Sequence, residues 1–284
     1  MKLSIITVTF NNLLGLKRTH QNIATFLQQC KDVEWIVVDG GSTDGTVEFL
    51  SEHPQDIAKY VSERDSGIYN AMNKGIRMAN GEYLLFLNAG DRLSEQMAEK
   101  RCLDFLTGES LIYGDVLLDY GTGNMAIQCH PNTLTLDYFI GNYLCHQAIF
   151  FRNSDIEKLH YDETFKVAAD LDLIIRLVFL EHCSYKHLPW AVAIYETTGL
   201  SAKKYYSVTR PEIRKAFAQA LEGGEDWYDA ILLHREWGDN SSWKALLYIA
   251  RTKQLKVQVG RVLEKIVVCY QRYIAFKQYI HRKI

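Results

Sequence analysis

The side chains that could do chemistry in this 284-residue chain fall into four short clusters: Thr9-Phe10-Asn11-Asn12, Asp39-Gly40-Gly41-Ser42, Glu63-Arg64-Asp65-Ser66-Gly67 and Asn88-Ala89-Gly90-Asp91. Each alone is ordinary loop composition, because Asn, Asp, Ser and Gly stabilise turns through their own side chains or through positive φ. Acids in three of the four, each just past an apolar run, point to one shared pocket. No G-x-G-x-x-G follows the first run and no G-x-x-x-x-G-K-[ST] exists anywhere, so the two common backbone cradles for phosphate are missing. A nucleotide diphosphate bound without them needs a positive counterpart, and a divalent cation held on carboxylate oxygen supplies one. Asp91 is placed to hold such an ion, with Asn88 offering an amide oxygen and with phosphate and water completing the octahedron.

The runs between the clusters are the elements that must position them. Residues 2–9 are a short β-branched stretch, the mark of a buried strand, and a helical pattern follows to about residue 29. Further strands are expected over 33–39, 57–62, 82–88, 111–118 and 147–151, and helices over 45–51, 68–79 and 170–181. Strand–helix alternation of this kind predicts an α/β fold with a mostly parallel sheet and helices on both faces. Open sheets of that type bind ligands beyond the carboxyl ends of their strands, where all four clusters lie. After about residue 205 the pattern is helical, so we expect a catalytic domain over 1–205 and a helical region over 206–284. Composition is that of a globular protein, 48% hydrophobic and 23% charged, which excludes a disordered chain. The six cysteines are scattered without a C-x-x-C pair, which suits reduced thiols and a cytoplasmic location. The N-terminal apolar run is too short for a signal peptide, and no run is long enough to span a bilayer.

Four ordered stretches carry a more specific likeness: SIITVTFNN, WIVVDGGSTDGT, SGIYNAMNKGIRMANGEYLLFLNAGD, and HQAIFF followed by YDETFKVAADLDLIIRL. Together they resemble the family 2 glycosyltransferases of the GT-A fold, in the branch that builds exopolysaccharide, colanic-acid-like and O-antigen units. The resemblance covers roughly residues 1–205. It implies a nucleotide-diphospho-sugar transferase that uses Mn2+ or Mg2+ and inverts the anomeric centre in a single displacement. On that reading Thr9, Phe10 and Asn11 line the nucleotide pocket, with Phe10 offering a flat face to the base. Asp39 lies beside base and ribose, and Asp65, Asn73 and Lys74 face the donor diphosphate, with Asn88 near it. Asp91 matches the last acid of the family's aspartate-rich metal motif, whose earlier acids are replaced here by Asn88 and Gly90. Asp170 becomes the catalytic base, although from its position alone an Asp there is also a good helix N-cap. His146 and Gln147 match a position beside acceptor or metal. Asp172 and Arg176, four apart, read as an ion pair that supports the helix.

Charge is unevenly spread. Residues 244–284 hold ten Lys/Arg and one acid, a net of +9, which leaves −11 on residues 1–243 given the formal −2 of the whole chain. From Leu255 to Ile280 apolar residues recur at spacings of four and three, drawing a narrow stripe along one long basic helix. An anionic membrane surface is one partner for it, which would place the protein peripherally on the inner face of the plasma membrane and suit an acceptor saccharide carried on a polyprenyl diphosphate. Packing on protein is the other reading. Nucleic acid is not expected, because the body is acidic. Two rival functions stand beside the transferase: a non-catalytic nucleotide-sugar or glycan-binding module, and a sugar-nucleotide pyrophosphorylase, whose Gly-rich phosphate loop is absent after residue 9.

Overall fold

The computed structural model describes residues 1–100, 102–197 and 205–221, with a few positions beyond them as far as 232. One compact unit runs Met1–Glu225, and a second, Asp226–Ile284, falls almost wholly outside the described residues. The basic helix expected over 244–284 lies there, outside what the structure describes.

The first unit is built on a nine-stranded sheet. At its centre is β1 (Leu3–Thr9), every residue of which is buried, as a strand covered on both faces requires. It pairs in parallel with β2 (Val33–Asp39), register Leu3↔Val33 to Thr9↔Asp39, and with β4 (Tyr83–Phe86) on the other side. β3 (Lys59–Ser62) continues the parallel order beyond β2. The crossovers are α1 (Leu13–Gln29), α2 (Thr46–Glu52) and α3 (Ile68–Met78). Asn12 caps α1 by accepting from the Gly15 N–H at 3.1 Å. α3 lies so close to β1 that a Cβ on Gly75 would overlap Ile6 Cγ2.

Past β4 the sheet becomes mixed. β5 (Arg92–Leu93), α4 (Glu95–Ala98), β6 (Leu111–Asp119), β7 (Met125–Gln128) and α5 (Leu136–Phe139) follow in the chain. A 3-10 turn at His146–Ala148 then leads into β8 (Ile149–Arg152) and α6 (Asn153–Leu159). β8 is antiparallel to both β4 and β6, β6 runs parallel to β9 (Tyr185–Glu196), and β5 closes the edge, giving the order β3-β2-β1-β4-β8-β6-β9-β5. The parallel arrangement expected from the sequence therefore holds over β3-β2-β1-β4 and again between β6 and β9, while β8, β7 and β5 all pair antiparallel. β9 was not anticipated. Its Pro189 obscures the strand pattern, and the register shows why it is tolerated: Gly114 faces Leu188 and Asp115 faces Ala191, so Pro189 sits in a bulge.

The helix expected over 170–181 is α7 (Ala169–Ile175), which widens into a π turn at Arg176–Leu180. The last described helix, α8 (Tyr205–Ala220), buries Ala216, Phe217 and Ala220 and belongs to the first compact unit.

Candidate functional site

One side of the candidate site forms at the carboxyl ends of β1 and β2, where the residues expected to meet a donor lie. Asp39 is fully buried and holds the loop after it: one oxygen accepts from Ser62 Oγ at 2.6 Å and from the Ser42 N–H at 2.9 Å, and the other from Ser42 Oγ. Ser42 in turn accepts the Asn11 N–H at 2.6 Å, and the Asn11 amide oxygen takes the Thr43 N–H at 2.9 Å. Asn11 is at φ 47, a conformation Asn tolerates better than most residues. Asp44 joins the two crossovers, accepting from the Leu13 N–H at 2.8 Å and from Thr46 Oγ1 at 2.6 Å. Phe10 stands 61% exposed at the mouth, its ring free of the core. Thr9 Oγ1 is buried without a hydrogen-bond partner.

Gly40 explains how Asp65 reaches this pocket. A Cβ at position 40 would lie 2.7 Å from Asp65 Oδ2 and 3.2 Å from the Phe10 ring. The missing side chain is thus the space the Asp65 carboxylate occupies, beside Phe10. Asn73 and Lys74 are employed elsewhere. The Asn73 amide donates to Tyr161 O and to Glu163 Oε1, both at 2.9 Å, and accepts the Tyr161 N–H, so it is spent on the 161–163 loop. Lys74 pairs with Glu63 at 2.8 Å.

The opposite side gathers around His146. Asn88 Nδ2 donates to His146 Nε2 at 3.1 Å, which leaves the ring proton on Nδ1, 3.4 Å from Asp170 Oδ2. One imidazole therefore links the loop after β4 to the first turn of α7. Asp91 is buried beside it, its Oδ1 accepting the Glu196 N–H at 3.0 Å and its Oδ2 accepting from Gln147 Nε2 at 3.1 Å. Burial pushes the Asp91 carboxyl up to about 6, against the opposing pull of the Glu196 and Gln147 hydrogen bonds and of His146. Cys145 and Tyr195 both feel the charges of Asp91 and Asp170, and burial first, then those charges, raises each of them. Asn88, His146 and Asp170 thus form one chain of contacts along the candidate cleft, and Gln147, next to His146, holds Asp91. Tyr195 and Glu196 come from β9, a strand with no clear alternation in the sequence, so nothing local marks their place here. Asp172 does not enter the cleft. It is 1% exposed and pairs with Arg176 at 2.8 Å, while the guanidinium also donates to the carbonyls of Leu159 and His160, which fastens α7 to the end of α6.

Among the described residues no three His, Cys, Asp or Glu side chains converge as a ready-made metal site. The donor set nevertheless suits a hard divalent cation that takes most of its ligands from phosphate and water. Asn88 Oδ1 is a buried acceptor with no partner, and the Asp91 carboxylate three residues on has hydrogen bonds but no cation of its own.

Comparison with known proteins identifies the family and the fold. The sequence profile of glycosyl transferase family 2 matches residues 4–153. The chain is 31% identical over 218 residues to an uncharacterized glycosyltransferase of Mycobacterium tuberculosis, covering 75% of this chain and 81% of that protein. It is 32% identical over 205 residues to a PGL/p-HBAD biosynthesis glycosyltransferase of the same species, covering 69% and 77%. The fold is also that of Staphylococcus aureus TarS 1-349 in complex with UDP-GlcNAc, with TM-score 0.60 and 18% identity over 91% of this chain and 78% of that one. A mannosyltransferase from Pyrobaculum calidifontis, solved with GDP-Man and Mn2+, superposes with TM-score 0.52 and 17% identity over 91% and 83%.

Proposed function

The chain belongs to glycosyltransferase family 2, and on that premise we propose that it moves a hexose from a UDP-sugar to a lipid-linked glycan acceptor, with inversion, in bacterial surface polysaccharide synthesis. The observation that carries this reading is the contact chain Asn88–His146–Asp170, beside which the neighbouring Gln147 holds Asp91. Phe10, Asp39 and the Thr9 hydroxyl supply a base-and-ribose end and Asp65 the diphosphate side; Asn88 and Asp91 would hold the divalent ion. When bound, that ion supplies positive charge beside the diphosphate.

Asp170 is the general base. Its Oδ1 is held by the Leu171 N–H at 2.9 Å and its Oδ2 faces His146 Nδ1, so the carboxylate is oriented from two sides and keeps lone pairs for a proton. It takes the proton of the acceptor hydroxyl as that oxygen attacks the anomeric carbon from the face opposite the diphosphate. General-base assistance of this kind is worth about 10²–10⁴ in rate. The relatives named for PGL biosynthesis, together with the basic segment 244–284, support an acceptor presented at a membrane.

The test begins with a set of nucleotide sugars and Mn2+, scored by thermal shift and by slow hydrolysis. Asp170→Asn should reduce turnover at least about 100-fold while donor affinity stays within a few-fold. Retained turnover in that variant removes the base assignment, and full activity in excess EDTA removes the ion. The lack of a three-ligand metal site among the described residues favours one rival, a non-catalytic sugar-nucleotide binder. Binding of every donor without hydrolysis of any would establish it.

A further inference from the structure

The segment 161–168 leads directly into α7 and the proposed base, yet it has almost no regular structure. It is fastened from two sides. On one side Glu163 accepts from Asn73 Nδ2 at 2.9 Å and from Asn70 Nδ2 at 2.9 Å, both on α3, the helix that follows the Asp65 loop. On the other side stands α8. Its Glu212 carboxylate accepts three successive backbone N–H groups: Lys166 at 2.8 Å, Val167 at 2.9 Å and Ala168 at 3.0 Å. Lys215, on the same face of α8, donates to Thr164 Oγ1 at 2.5 Å and lies 3.9 Å from the Phe165 ring centroid, and Gln219 donates to Asp162 at 3.2 Å.

Three consecutive amides converging on one carboxylate fix the path of that backbone far more tightly than side-chain packing would. A carboxylate accepting N–H groups makes the strong, charge-assisted form of the bond. The last amide held belongs to Ala168, two residues before Asp170, and Ala168 has no side-chain cap to offer the helix itself. α7 is short, so its direction is set by how the chain enters it. The Asp172–Arg176 pair anchors its far end.

We propose that Glu212 is a positioning residue for the transfer reaction: it sets the entry of α7, and through it the Asp170 carboxylate, against the donor side to which Glu163 ties the same segment. Helix α8 is then a working part of the catalytic unit. This rests on the reading of Asp170 as the base. A displacement of about 1 Å at a reacting group costs on the order of 100-fold in rate, which is the scale expected on loss of the Glu212 carboxylate.

The experiment uses the full chain, with UDP release from UDP-glucose, UDP-galactose and UDP-N-acetylglucosamine as the assay and the best of the three as probe. Glu212→Ala should lower kcat about 10–100-fold with the UDP dissociation constant within about two-fold of wild type. Glu212→Gln, which keeps one acceptor oxygen, should fall between the two. Lys215→Met, which touches the same segment but none of the three amides, should leave kcat within about three-fold. Hydrogen exchange should quicken over 166–172 in Glu212→Ala and stay unchanged in β1 and β2. Unchanged kcat in a folded Glu212→Ala overturns the proposal, as does an equal loss of UDP affinity. Should Glu212→Ala fail to fold, Glu212→Gln with kcat and exchange at wild-type values overturns it. Asp170→Asn, run in parallel, separates the two failures: if it retains turnover the base assignment is at fault, and if it is inactive while the Glu212 variants are unaffected only the positioning role is lost.

Discussion

Among the described residues Asp91 has two side-chain hydrogen bonds and no salt bridge, and it is almost wholly buried, an imbalance that can be measured. Its carboxyl is raised from 3.8 to about 6, with burial the leading cause, so the folded chain holds this proton more tightly than the unfolded chain does. The contribution to stability is therefore full below about pH 3.8 and is lost as pH rises through about 6. Asp91→Asn is neutral throughout and can keep the Glu196 N–H, while the Gln147 amide turns over to accept. In EDTA at pH 7.5 the variant should be more stable to urea by about 2–3 kcal/mol, and at pH 3.5 the difference should vanish. A variant weaker than wild type at pH 7.5 would mean that the carboxylate is stabilised by something other than its two hydrogen bonds. The candidate residues Asp39, Asp65, Asn88, Asp91 and Asp170 stand out in the sequence because each follows a recognisable strand or opens a helix, whereas His146 enters only through the family resemblance. Their partners do not: that Asn73 serves the 161–163 loop depends on a contact 88 residues away in the chain, which no local pattern encodes.

At the scale of elements, the α3–β1 contact is close enough for a single methyl group to be felt. Alanine ordinarily stabilises a helix interior relative to glycine by up to about 1 kcal/mol. At position 75 the added carbon would overlap Ile6 Cγ2 on a fully buried strand. Gly75→Ala should therefore lose about 1–2 kcal/mol, read as a lower urea midpoint at constant slope. A rise in the midpoint would show that α3 can lift off β1 without loss. The parallel strands β1 to β4 were readable because each is a compact apolar run bounded by turn residues. β9 was not, since Pro189 and the polar residues around it break the alternation, and the two-residue β5 is too short to leave any signal.

Over the whole molecule the charge division matters more than the net of −2. A surplus of +9 in 244–284 against −11 in the rest predicts attraction to anionic lipid that weakens as salt shortens the screening length, about 10 Å at 0.1 M. The full chain should float with phosphatidylglycerol vesicles at low salt and not with phosphatidylcholine alone, and a 1–243 truncation should lose flotation. Equal flotation of the two would assign the basic segment to protein contacts. A last consequence follows from the bulged pairing of β6 with β9. Between the pairs Gly114↔Leu188 and Asp119↔Glu196 the second strand spends three more residues than the first. The bulges absorb those residues, so Glu196 still lies opposite Asp119 and its N–H still reaches Asp91 Oδ1 at 3.0 Å. An insertion or deletion in 188–196 that the bulges could not take up would instead slip the pairing by a residue and carry the Glu196 N–H away from Asp91, a cost that a surface loop of the same length would not incur.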